Sequence, residues 1–97
     1  MRLETLLLVN PGIRFAAWRL PNGQATIDFL SIPERHRRTG LGTMVYQAWE
    51  NTLPQGTRIE LFAVDADASR FWRSLGFTGE DNGPMAKLVG EDMRMAA

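Results

Sequence analysis

Apolar residues crowd the chain from Leu3 to Val9, interrupted only by Glu4 and Thr5, and this short run predicts a strand. Asn10-Pro11-Gly12 then turns the chain, with proline fixing one dihedral and glycine permitting positive φ. A second strand is expected over 13–20, with Phe15 and Trp18 as its large packing residues. Pro21-Asn22-Gly23 carries the Asn-Gly hairpin signal, and a third strand follows over 24–32. There, Ile27, Phe29 and Ser31 share one parity and Asp28, Leu30 and Ile32 share the other. Both faces are partly apolar, as expected of a central strand. Three short strands with tight turns predict an antiparallel meander.

Beyond residue 40 the period changes. Leu41, Met44, Val45, Ala48 and Trp49, extending toward Leu53, recur at the spacing of an amphipathic helix. Tyr46 falls off that stripe. Pro54-Gln55-Gly56 ends the helix. Over 57–64, Ile59, Leu61 and Ala63 alternate with Arg58, Glu60 and Phe62, which predicts a strand. A helical crossover makes that strand parallel to the 24–32 strand. A second helix starts near Asp65 or Asp67, with Ala68, Phe71, Trp72 and Leu75 as its stripe and Gly76 as its stop. A final hairpin turns at Asp81-Asn82-Gly83-Pro84. The fold class is therefore α+β, with a mixed, mainly antiparallel sheet and two helices. Residues 1–89 form one compact domain and 90–97 a short tail.

Ninety-seven residues are enough for one modest core. A hydrophobic content of 44% argues against disorder. Eleven basic and eleven acidic residues cancel, which argues against a protein that coats nucleic acid but leaves room for a local anion site. The absence of cysteine excludes disulfides, thiolate zinc sites and a cysteine nucleophile within this chain. It fits a reducing compartment. The N-terminal apolar run is too short to span a membrane. A soluble cytoplasmic protein with no membrane partner is expected, and near-zero charge is compatible with a dimer.

The chemistry concentrates at Arg35-His36-Arg37-Arg38-Thr39-Gly40-Leu41-Gly42-Thr43. Glycines at a loop-to-helix junction let a ligand approach the backbone. The first-turn amides of a helix have no intrahelical partner and suit phosphate oxygens. Arg37 and Arg38 add charge-assisted hydrogen bonds, and Thr39 and Thr43 add hydroxyls. The spacing is neither that of the nucleotide-kinase loop nor that of the dinucleotide-binding loop. An exposed turn with a charge run is the bland alternative. Arg35 and His36 are read as solvated loop residues.

Arg37-Arg38-Thr39-Gly40-Leu41-Gly42 resembles the Arg-x-x-Gly-x-Gly pyrophosphate loop of the GCN5-related N-acetyltransferases. The segment Ala68-Ser69-Arg70-Phe71-Trp72-Arg73-Ser74-Leu75-Gly76-Phe77 resembles the same family's later helix and Gly-Phe exit. Element order agrees from Leu3 to about Val89. The resemblance implies an acyl-CoA N-acyltransferase-like fold and acetyl-CoA as co-substrate. It implies that Arg37, Arg38, Thr39, Gly40, Leu41, Gly42 and Thr43 hold the pyrophosphate. It further implies that the strands over 24–32 and 57–64 splay apart around the pantetheine arm, with Leu30, Ser31 and Ile32 lining the acetyl end. Asp28 stands where many members carry a glutamate and is the candidate general base, acting directly or through water; an ion-paired or simply exposed carboxylate is the alternative. Asp65 matches a frequent asparagine, and Ser69 could orient water or cofactor, although both also suit helix capping. Trp72 stands where members often carry a tyrosine that acts as the acid. Indole cannot transfer that proton, so it packs against the cofactor arm or fills the core. No metal is expected. Members usually place a strand and one or two helices before the first hairpin, and here the chain starts almost at the hairpin. A homodimer is one way to enclose the acceptor.

The expected activity is acetyl transfer from acetyl-CoA to an unidentified primary amine. A catalytically weak acyl-CoA-binding or protein-partner module shares the cradle but differs at Asp28. A small nucleic-acid-binding protein would explain the arginine cluster but lacks interleaved aromatics and a basic balance.

Overall fold

A computed structural model describes residues 2–90. Its elements are α1 (Leu3–Val9), β1 (Arg14–Leu20), β2 (Gln24–Ser31), a 3-10 turn (Glu34–His36), α2 (Leu41–Glu50), β3 (Arg58–Phe62), α3 (Ala66–Ser74), β4 (Thr78–Gly79) and β5 (Pro84–Leu88). The sheet order is β1-β2-β3-β5-β4, with β2 and β3 parallel and the other pairs antiparallel. The expected α+β class, mixed sheet and crossover helix are all present. Of the expected tail, only Gly90 lies within the described residues.

The first segment departs from expectation. Leu3–Val9 is a helix, not a strand. A short, largely apolar run does not distinguish the two. What decides is the helical spacing of Leu3, Leu6 and Leu7, which all pack into a small cluster with Ile13 and Val45. Leu8 and Val9 on the opposite side stay exposed. The Asn10 side-chain amide donates to the Leu6 carbonyl at 2.8 Å and closes the helix end. The fold therefore has three α-helices among its described residues rather than two.

Both long helices lie on one face of the sheet. Tyr46 of α2 meets Trp72 of α3 edge to face at 5.9 Å, and both touch Phe77. Beneath them lie Ala25 and Ile27 of β2, Ile59 and Leu61 of β3, and Met85 of β5. Tyr46, off the predicted stripe, is only 1% exposed. Helix α2 buries a wider arc than one stripe because it packs on α3 as well as on the sheet. Beside the rings, the Lys87 ammonium donates to the Leu75 carbonyl at 2.6 Å and pairs with Glu50 at 2.8 Å. The Tyr46 hydroxyl donates to the same Glu50 oxygen at 2.7 Å. A buried charge thus joins β5, α2 and α3 with its partners in place.

The other face of the sheet carries no described helix. Pairing places Trp18, Thr26, Glu60, Ala86 and Thr78 in one row across all five strands. This row and its neighbours leave Trp18, Phe29 and Phe62 more than half exposed.

Candidate active site

Pro33 starts the 3-10 turn that carries β2 toward α2, with the His36 amide donating to its carbonyl at 2.8 Å. Arg37 folds back, its Nε donating to the Ile32 carbonyl at 3.3 Å. Arg38 (φ 65°) and Gly40 (φ 80°) are both left-handed, and they turn the chain sharply into α2. The Thr39 hydroxyl donates to the His36 carbonyl at 2.5 Å, so it braces the loop rather than capping the helix. No side chain caps α2. Its first hydrogen bond runs from the Met44 amide to the Gly40 carbonyl, so the Leu41, Gly42 and Thr43 amides precede the ladder. A Cβ at Gly40 would meet no protein atom within 4 Å, whereas a Cβ at Gly42 would already touch Ile32 and Phe71 at 3.4 Å. An uncapped amide cluster, flanked by exposed arginines and open at Gly40, fits a phosphorylated ligand. The His36 ring accepts from Arg35 Nε at 3.3 Å, and both stay at the rim of the loop.

Strand β2 supplies the second part. It pairs with β3 only from Gln24↔Arg58 to Ile27↔Leu61. Beyond that point the strands part, the expected splay, and the gap starts at Asp28 and Phe62. On the other edge of β2, Ala16 pairs with Phe29 and Ala17 with Ile27, leaving Asp28 as the extra residue of a bulge. A bulge shifts side-chain parity. Ile27 therefore points into the core, Asp28 and Phe29 are both exposed, and Leu30 turns back to pack against the core. The Asp28 carboxylate accepts from the Trp18 indole N–H at 2.7 Å. Leu30 and Ile32 are half-buried and Ser31 is exposed along the parted stretch.

The remaining candidates serve the fold. Asp65 caps α3, its Oδ1 accepting from the Ala68 amide at 2.8 Å. Ser69 is buried; its hydroxyl donates to the Asp65 carbonyl and accepts from the Asn82 amide, both at 2.9 Å. That hydroxyl ties α3 to the final turn and is already engaged. Trp72 fills the core between Tyr46, Phe71 and Phe77. Phe71, not Trp72, lies beside Gly42.

Sequence reading overlooked Trp18 as a partner of Asp28. Its signal is the hairpin itself, which folds position 18 onto 26 and so brings an aromatic donor beside the carboxylate two residues on. It also overlooked the outer cavity of about 540 Å³ that starts where the strands part, with Thr26, Asp28, Glu60, Phe62 and Thr78 on its walls. Two features of that kind, a bulge and a gap between strands, depend on pairing and leave no local mark in composition.

The sequence matches no protein-family profile and no curated protein. Solved structures do resemble it. Ard1 from Thermoplasma volcanium is 20% identical over 79% of this chain and 62% of its own, with a TM-score of 0.63. AtaTR bound with acetyl-CoA is 16% identical over 88% and 61%, with a TM-score of 0.61. The KacTA complex with DNA is 15% identical over 87% and 61%, with a TM-score of 0.60. The chain spans about three fifths of the length of these structures. Their likeness bears out the acyl-CoA N-acyltransferase-like fold.

Proposed function

We propose that the protein is an acetyl-CoA-dependent N-acetyltransferase acting on a primary amine. The observation that carries this reading is the uncapped start of α2 beside Gly40, set at the end of a β2 that has parted from β3. The acetyl-CoA bound in the solved AtaTR structure, which shares the fold, supports it. The side chains of Arg37 and Arg38 and the backbone of Thr39, Gly40, Leu41, Gly42 and Thr43 hold the pyrophosphate. Leu30, Ser31 and Ile32 line the arm. Acetyl-CoA supplies an acetyl group activated as a thioester. Asp28 takes the proton of the attacking amine, directly or through one water. The thiol leaves as thiolate, since Trp72 has no acid to offer and the hydroxyl of Tyr46 is held by Glu50.

Calorimetric titration with acetyl-CoA tests the cradle. Micromolar binding is expected, weakened at least tenfold by Gly42→Leu, whose side chain extends past the Cβ already in contact with Ile32 and Phe71. The exposed Arg38→Ala, which leaves the core intact, is expected to weaken binding about threefold to tenfold. Absence of binding by the unaltered protein sinks the reading.

A second reading, an acyl-CoA-binding module with little turnover, is favoured by that missing acid. It predicts binding without thiol release in the presence of any amine. The proposal includes a homodimer, supported by the exposed Leu8 and Val9 of α1, which sedimentation at rising concentration checks. It also includes a reducing cytoplasmic setting, supported by the absence of cysteine. No described helix is long and apolar enough to cross a membrane.

A further inference from the structure

The open face of the sheet presents a cavity whose chemistry is uneven. Arg58 and Glu60, two residues apart on β3, pair with each other at 3.0 Å and cancel. Asp28 has no cationic partner in the described structure: its one hydrogen-bond donor is the neutral Trp18 indole. Its charge therefore stays without a counter-charge on the cavity wall. Aromatic surface flanks it, with Trp18 57% and Phe62 63% exposed. Thr26 and Thr78 add only hydroxyls, and Pro84 and Ala86 add apolar wall. A lone carboxylate beside two exposed aromatic rings attracts a cation carried on an apolar body. The cavity opens on the face away from α2 and α3, and reaches the gap between β2 and β3 at Asp28 and Phe62.

We propose that this cavity is the acceptor site and that it takes alkyl or arylalkyl amines bearing no carboxylate beside the amino group. This inference rests on the N-acetyltransferase reading and gives it a substrate class. The amine arrives as an ammonium ion on Asp28 and surrenders one proton to that carboxylate. Its nitrogen then bonds to the acetyl carbon while the carbon–sulfur bond breaks. The sulfur keeps the electron pair, and the nitrogen's second proton passes to water. A carboxylate next to the amine would face the unpaired Asp28 and be repelled, since Arg58 is already neutralised by Glu60.

Phenethylamine and L-phenylalanine differ by that one carboxylate, and they make the test. Amide shifts in the 15N-labelled protein are expected to move at Asp28, Phe62 and Thr78 on addition of phenethylamine, with at least tenfold weaker effects from L-phenylalanine. Asp28→Asn and Phe62→Ser should each weaken phenethylamine at least fivefold, with acetyl-CoA affinity by calorimetry held within twofold. In the presence of acetyl-CoA, thiol release should favour phenethylamine over L-phenylalanine at least tenfold in kcat/KM. Equal binding of the two probes, shifts confined to another surface, or no shifts up to about 10 mM amine would overturn the acceptor assignment. If acetyl-CoA still binds in that case, the cofactor reading survives. If the amine binds as expected and acetyl-CoA does not, the cavity stands as a cation site and the transferase reading falls. A stable dimer that buries Phe62 and blocks the amine also overturns the inference.

Discussion

Arg38 holds a left-handed backbone that its side chain disfavours by about 1 kcal/mol. Glycine would adopt that turn without the penalty. Its exposed guanidinium makes no hydrogen bond or ion pair among the described residues that would justify the conformation. Arg38→Gly should therefore raise Tm by a few degrees, on the order of 4 °C for a domain of this size, and weaken acetyl-CoA binding. Calorimetry and thermal melting on the same sample separate the two effects. A fall in Tm would mean that the side chain stabilises the loop. Trp18 presents the complementary case, since its indole N–H is a neutral donor to a charged acceptor at 2.7 Å. Such a bond fixes the carboxylate, and Trp18→Phe should lower kcat about threefold to tenfold. It should do so only when Asp28 is present. The Trp18→Phe and Asp28→Asn double variant should be no slower than Asp28→Asn alone. An additive loss would instead assign Trp18 a packing role.

At the scale of elements, how much was legible depended on whether a signal was local. The Asn-Gly turn, the Leu41, Val45 and Trp49 spacing, and Pro54 each act through their own backbone, and β1, β2 and α2 appear where those signals put them. The arginine-glycine loop was legible for the same reason. Helix α1 was not, because its seven residues are too few and too largely apolar for spacing to separate helix from strand, and the packing of Leu3, Leu6 and Leu7 with Val45 decides the outcome. The bulge at Asp28 was not legible either. The two-sided apolar pattern of β2 has two causes, a central position and a change of parity, and sequence offers only their sum. Lys87 carries no local mark of its role: its side chain is 8% exposed and joins Glu50, Leu75 and Tyr46 from β5. Lys87→Met should destabilise by about 3 kcal/mol, since it strands the partly buried Glu50 carboxylate. Adding Glu50→Gln should recover part of that loss in urea unfolding. If the single and double variants unfold alike, the pair contributes nothing beyond packing.

Across the whole molecule, eleven basic and eleven acidic residues cancel, so no net field draws in a polyanion. The attraction has to be local. The described chain measures 34 × 28 × 28 Å, against a Debye length of about 10 Å at 0.1 M salt. Arg35, Arg37 and Arg38 at the α2 start are therefore felt by a ligand there. Asp67, which pairs with Arg70, and Asp81, which pairs with Arg73 at 2.7 Å, are neutralised on the spot. Raising salt to about 1 M shortens the Debye length to about 3 Å. Acetyl-CoA affinity should then fall about fivefold to tenfold, and Arg38→Ala should flatten the dependence. Thermal stability should change little over the same range, since the core is apolar and the exposed pairs each contribute under about 1 kcal/mol. A salt-independent affinity would place the ligand away from the arginines. Binding and stability that weaken together would mean that salt acts on the fold and not on the cradle.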